Sequence, residues 1–169
     1  MFVSALVSGF LVWRLAYTTP FLVQGPSMEP TVHNGTLFAL DTLAYRLGFP
    51  ERGDIVVFHF EDDPDYFYVK RIVGLPGERV HVATDGVYLE DQGGLKSKLL
   101  EPYLANAASS ATGKSLKNGY KDETFVVPPG KYMVMGDNRA DSLDSRFFKH
   151  PFIPREDIQG KYLFTLLGS

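Results

Sequence analysis

The chain is 169 residues long and carries 17 Lys and Arg against 20 Asp and Glu, a formal charge of −3. At roughly one domain per 150 residues this is one compact domain with some extra, and 44% hydrophobic against 22% charged residues excludes wholesale disorder. The mildly acidic balance argues against nucleic-acid binding through phosphate neutralisation, and the lack of cysteine excludes a disulfide scaffold, a thiolate metal site and a cysteine nucleophile.

From Met1 to Val23 the only charged side chain is Arg14, and Met1 to Trp13 is apolar or small throughout. A helix from Met1 to Thr19 would be about 28 Å long at ~1.5 Å per residue, just enough for a bilayer core. Arg14 would cost about 2.5 to 3.5 kcal/mol at the bilayer centre but can snorkel from one end, with Trp13 and Tyr17 as interfacial neighbours. The expectation is therefore a membrane anchor over residues 1–22; an ordinary buried helix is the alternative. Pro20, Gly25 and Pro26 break the helical stretch, and strands follow. Ile55 to Phe60 is a near-continuous apolar run after the Gly53-Asp54 turn, and Tyr66 to Val73 is a second, bounded by Pro64 and by Gly74 to Gly77. Shorter candidates are Thr36 to Leu40, Arg79 to Ala83, Val87 to Glu90, Thr124 to Val127, Tyr132 to Gly136 and Gly160 to Leu167. The small and polar residues between Asp91 and Glu123 read as a long excursion with little core of its own. Residues 23–169 thus form one mainly β domain with an excursion at about 91–123.

Three islands place polar groups beside turn formers, where a sheet can present them to a substrate. They are Gly25 to Thr31, Tyr68 to Glu78, and Gly136-Asp137-Asn138-Arg139 through Ser142, Asp144, Ser145 and Arg146. Ser27 stands between Pro26 and Pro30, so its hydroxyl is held in one direction; alone, the pattern fits a nucleophile or a plain turn. Lys70 has two readings. Strand alternation puts it on one face with Tyr66, Tyr68 and Ile72. Among apolar neighbours its amine loses solvation, its pKa falls and it becomes a general base; on an edge strand it is a charge that blunts aggregation. The third island reads as a loop anchored to the sheet by ion pairs, or as a solvated loop. The histidines His33, His59, His81 and His150 show no ligand-like spacing, so no metal is expected.

Together and in this order, the islands and the Arg52-Gly53-Asp54-Ile55-Val56-Val57-Phe58 run resemble the type I signal peptidase family, over about Val23 to Gly168. The run Gly-Asp-Asn-Arg-x-x-Ser-x-Asp-Ser-Arg is complete at 136–146. The resemblance implies a mainly β fold, an antiparallel sheet or barrel catalytic domain with an N-terminal membrane-associated helix. It implies a membrane-bound serine endopeptidase that removes signal peptides from secreted precursors, cutting after small residues at −1 and −3. Ser27 would be the nucleophile and Lys70 the general base. Ser142 would hydrogen-bond the lysine amine, Asp144 would support that region, and Asp137 would pair with Arg146. Val23, Met28, Val32, Phe67, Tyr68 and Val69 would bind substrate, which adds as an extended strand beside Phe67 to Val69. The Ser27 N–H would stabilise the oxyanion. Where some members carry a serine as second donor this chain has Gly25, so a backbone amide or water takes that part.

The same resemblance implies no cofactor, with precursor proteins and membrane lipid as partners, no nucleic acid, and a monomer. It places the protein as a single-pass protein of the inner membrane with the catalytic domain on the extracytoplasmic side. The complete third island favours a bacterial source over an organellar one. Two rivals share part of the pattern. One is a repressor-type self-cleaving serine/lysine protease, which lacks the apolar amino terminus; the other is an inactive peptide-binding paralogue, against which all four of Ser27, Lys70, Ser142 and Asp144 count.

Overall fold

The computed structural model describes residues 17–104 and 122–168. Its strands are β1 (Thr18–Leu22), β2 (Leu37–Asp41), β3 (Ile55–Phe60), β4 (Asp63–Gly74), β5 (Arg79–Ala83), β6 (Gly86–Glu90), β7 (Lys96–Lys98), β8 (Glu123–Val126), β9 (Lys131–Met135), β10 (Phe152–Pro154) and β11 (Ile158–Leu167). The helical pieces described are one turn, α1 (Ala44–Leu47), and two 3-10 turns, Pro102–Leu104 and Arg155–Asp157. A seven-stranded sheet has the order β1-β2-β11-β3-β4-β9-β10, and a four-stranded sheet has the order β7-β6-β5-β8. Every pairing is antiparallel.

The centre of the large sheet is buried on both faces, which explains the unbroken apolar run of β3. Ile55 and Val57 point into a cluster with Val23, Met28, Val32, Phe38 and Val69. Val56, Phe58 and Phe60 point the other way, against Ile72, Tyr132, Val134 and Ile153. A third cluster fills the space between the sheets, with Val73, Met133 and Met135 from the large one and Val80, Val82, Val87 and Phe125 from the small one. Gly74 leaves room for this packing, since a Cβ there would lie 2.8 Å from Val80 and 3.0 Å from Met133. β4 runs between β3 and β9, so Lys70 is not on an edge strand.

The expected anchor at 1–22 is corrected at its end. Residues 1–16 lie outside the described residues, but Thr18 to Leu22 is a strand paired with β2, not the end of a helix. Thr18 and Thr19 are β-branched, and β1 is the edge of its sheet, where a residue lacking an N–H such as Pro20 is tolerated. Among the described residues no helix is long and apolar enough to cross a membrane. The excursion is described up to Leu104 and again from Asp122, and its first part belongs to the small sheet, since β7 pairs with β6.

One irregularity shapes the functional face. The register of β3 with β4 passes from Phe58 opposite Tyr68 to Phe60 opposite Asp63. Four residues of β4, 64–67, therefore stand opposite His59 alone, three more than a regular ladder holds, and form an exposed lip. The Tyr68 hydroxyl closes the base of the lip by donating to Asp63 at 2.5 Å, and Phe67 leans edge-on against Phe21 of β1, with ring centroids 5.9 Å apart.

Candidate active site

Ser27 lies in a tight turn between β1 and β2. The Glu29 N–H donates to the Pro26 carbonyl at 3.0 Å, and the N–H groups of Thr31 and Val32 donate to the Met28 carbonyl at 2.9 and 3.0 Å. Met28 and Val32 fasten the turn from below as part of the core. From the other side Asn138 holds it, its N–H donating to the Ser27 carbonyl at 3.1 Å and its side-chain amide to the Pro26 carbonyl at 3.2 Å. The turn is thereby tied to the Gly136–Arg146 loop that follows β9.

Lys70 reaches the same point from β4. Its Nζ is 2.7 Å from Ser27 Oγ and donates to the Val69 carbonyl at 2.9 Å, and the Tyr68 ring centroid is 5.7 Å away. Only 3% of the residue is exposed. Burial pushes the amine down to about 8; Asp144 and Asp137 pull it up, and Arg146 pushes it further down. The opposing charges come as pairs, so they largely cancel and desolvation decides. Asp144 accepts from Arg146 Nε at 2.8 Å and Nη2 at 2.7 Å, both side chains being inaccessible to solvent. Burial raises the Asp144 carboxyl, but Arg146, the Gly136 N–H and the Ser142 hydroxyl outweigh it and hold it below the usual range.

The expected pairing of Asp137 with Arg146 is corrected. Asp137 accepts instead from Arg71, Nε at 2.8 Å and Nη2 at 2.6 Å, and Arg71 Nη1 donates to the Gly53 carbonyl at 2.7 Å. Arg146 is taken by Asp144, two residues away and on the same loop. The Ser142 hydroxyl, expected on the lysine amine, donates to Asp144 Oδ2 at 2.8 Å. One ion pair, Arg71 with Asp137, thus ties the loop to the strand, and a second, Arg146 with Asp144, braces the loop on itself. Arg71 and Asn138 are the residues whose parts were not foreseen. Both belong to quoted motifs, but nothing local reveals that Arg71 meets a carboxylate 66 positions away.

Ser27 and Lys70 open onto a cleft of about 600 Å3. Of the expected substrate-binding residues, Val23, Phe67, Tyr68 and Val69 line it, joined by Phe21, Leu22, Gly25 and Leu143. Met28 and Val32 do not line it; they are packed in the core beneath. β9 pairs with β4 only at Arg71, Ile72 and Gly74, so among the described residues no strand covers that side of Phe67 to Val69. A larger hollow of about 940 Å3 on the far side of Phe21 and Phe67 contains neither Ser27 nor Lys70. The histidines are engaged elsewhere: His81 with Glu90 and Thr124, His150 with Asp62, His59 with the Tyr66 carbonyl, and His33 beside Glu29. A hydroxyl, an amine of lowered basicity and an open strand edge are the parts needed for acyl transfer on an extended peptide.

The family model described as signal peptidase, peptidase S26, matches residues 1–167. The chain belongs to the signal peptidase family. Signal peptidase IB of Staphylococcus aureus is 36% identical over 169 residues, covering 95% of this chain and 83% of that protein. Signal peptidase I of Bacillus licheniformis is 40% identical over 145 residues, covering 85% of this chain and 74% of that one. Among solved structures, the crystal structure of a signal peptidase I from Enterococcus faecalis V583 superposes with a TM-score of 0.55 at 32% identity, covering 69% of this chain and 98% of that chain. The mainly antiparallel β architecture is thus that of a signal peptidase I.

Proposed function

We propose that this member of the signal peptidase family is a serine endopeptidase that removes signal peptides from secreted precursors, with Ser27 as nucleophile and Lys70 as general base. The observation that carries this reading is the 2.7 Å contact between the Ser27 hydroxyl and an amine that is 3% exposed. The precursor enters the cleft as an extended strand along the open side of Phe67 to Val69, with its main chain bonding the β4 edge. The apolar walls from Val23, Tyr68 and Val69 accept small side chains at −1 and −3.

Neutral Lys70 accepts the Ser27 proton as Oγ attacks the scissile carbonyl. The Ser27 N–H donates to the developing oxyanion. Gly25 offers no hydroxyl there, and its own N–H is directed to Asn34 Oδ1 at 2.8 Å. When the C–N bond breaks, the Lys70 ammonium returns its proton to the leaving amine, and an acyl-enzyme remains. Lys70 then takes a proton from water as the hydroxide adds to the ester carbonyl, and when the C–Oγ bond breaks the ammonium returns that proton to Ser27 Oγ, which releases the signal peptide as a carboxylic acid and restores both residues. Asp144, with Ser142 and Arg146 bonded to it, and Asp137 with Arg71, hold the loop that sets this geometry.

We place the reaction at a membrane surface, with the catalytic domain on its extracytoplasmic side. Support comes from the exposed apolar side chains on β1 and β11, Leu22, Leu163, Phe164, Leu166 and Leu167, which flank β2 in the sheet. The test is cleavage of a precursor with Ala at −1 and −3, followed by sequencing of the new amino terminus. Ser27→Ala and Lys70→Ala should each cut turnover by about 10^4-fold or more with unchanged circular dichroism. Cleavage retained in either variant would remove the dyad.

A further inference from the structure

Arg139 follows directly on the residues that touch Ser27, and its position is fixed at several points. Its Nε donates to the Gly136 carbonyl at 3.0 Å, and its own carbonyl accepts from Arg146 Nη1 at 3.0 Å. Both terminal nitrogens of its guanidinium donate to the carboxylate of Glu101, Nη1 at 3.1 Å. Glu101 lies in the first part of the 91–123 excursion, after β7 and immediately before the Pro102–Leu104 turn, and the Leu104 N–H donates to its carbonyl at 3.0 Å. That turn brings Tyr103 round so that its hydroxyl donates to Glu101 Oε1 at 2.6 Å. The Tyr103 ring then lies 3.9 Å from the guanidinium carbon of Arg71, the residue that holds Asp137. The Glu101 and Arg139 side chains are only 7% and 17% exposed. Burial and the neighbouring carboxylate together raise the Tyr103 phenol, which stays protonated and donates to Glu101.

These contacts span the two attachments of the catalytic loop. Glu101 grips the loop at Arg139, and Tyr103 covers Arg71 on β4. Neither residue lines the cleft or touches Ser27 or Lys70. We propose that Glu101 and Tyr103 are positioning residues of the peptidase reaction, a clamp that presses the Gly136–Arg146 loop onto β4 and so keeps Ser27 and the Lys70 amine together and shielded from water. The inference rests on the serine/lysine reading above and gives the first part of the excursion a role in it. A buried, doubly bonded carboxylate on Arg139 is costly to break, because the cation is left unpaired. With the clamp open, the loop lifts and water reaches Lys70. The groups facing that amine are Ser27 from the turn, Tyr68 from its own strand, and Asp137, Asp144 and Arg146 from the loop. Lifting the loop takes away both its charge pairs and its shelter, and since burial is the largest influence on the amine, its basicity returns toward the ordinary lysine value.

The test compares the pH dependence of kcat/KM for wild type, Glu101→Gln, Tyr103→Leu and Tyr103→Phe on one precursor peptide with Ala at −1 and −3, with Ser27→Ala alongside. Glu101→Gln and Tyr103→Leu should move the rising limb up by about one pH unit or more, so that activity at pH 7 falls about ten-fold while the high-pH plateau is largely kept. Tyr103→Phe, which keeps the ring on Arg71, should restore the limb relative to Tyr103→Leu. A lower folded fraction would scale the whole profile without moving the limb. If Glu101→Gln does not fold, the pair of Tyr103 variants decides. A limb unmoved in Tyr103→Leu, and in Glu101→Gln where it folds, overturns the clamp and leaves the dyad standing. A Ser27→Ala enzyme that still cleaves overturns the dyad itself.

Discussion

Lys70 departs from the ordinary behaviour of a surface lysine because of where its four-carbon stem delivers the amine. The nitrogen ends beside one hydroxyl, one carbonyl and one aromatic ring, and burial drives its pKa to about 8. Below that value the amine is mostly charged and unable to accept the Ser27 proton; above it the free base predominates. The distance from Oγ to Nζ depends on how closely the loop after β9 approaches the Ser27 turn, and Gly136 sets that approach. A Cβ at 136 would overlap the Ser27 carbonyl oxygen and Ser142 Oγ, and would lie 2.6 Å from Ser142 Cβ. Gly136→Ala should therefore push the turn and loop apart and lower kcat by about 100-fold, the usual cost of a displacement near 1 Å in a reacting geometry. Steady-state kinetics on the precursor peptide check this, and turnover near that of wild type would show that the turn does not depend on the close approach.

At the scale of elements, the loop from Gly136 to Arg146 is a rigid support built around one carboxylate. Asp144 accepts from the Gly136 N–H at 2.9 Å, the Ser142 hydroxyl at 2.8 Å and Arg146 at 2.7 and 2.8 Å. Ser145 next to it extends the pairing of β9, its hydroxyl accepting from the Val134 N–H at 2.9 Å. Asp144→Asn would leave the Arg146 cation buried without a charge partner, and urea denaturation should register a loss of about 3 to 5 kcal/mol; a change under about 1 kcal/mol would mean that the loop is held by its backbone alone. The composition of this loop could be read in the sequence, but its wiring could not. Asp137 and Arg146 are of opposite sign and close in the chain, yet Arg71, distant in sequence and adjacent in space, takes Asp137. Strands followed the same division. β3 and β5 were legible because continuous or alternating apolar residues match their two burial patterns. β1 was not, because Pro20 and the apolar residues before it read as the end of a helix, and its strand character comes from pairing with β2. β7, Lys-Ser-Lys and exposed throughout, carries no apolar signal and exists only through its bonds to β6.

For the whole molecule, the two sheets and three apolar clusters serve to bring a charged side chain into a dry place and hold it there. Three guanidinium and carboxylate pairs, Arg71 with Asp137, Arg146 with Asp144 and Arg139 with Glu101, leave little net charge around Lys70, so the fold acts on the amine mainly by excluding water. Family membership makes the chain a signal peptidase, and under the proposed mechanism the buried amine takes the part of a general base, since no histidine lines the cleft. The most direct measurement is a titration of the Lys70 side chain by NMR, with 13C at its ε carbon and Lys70→Arg to assign the signal. The expected midpoint lies near pH 8, well below the ordinary lysine value of 10.5. A midpoint at that ordinary value would mean a solvated ammonium, and a lysine base acting on Ser27 would be contradicted.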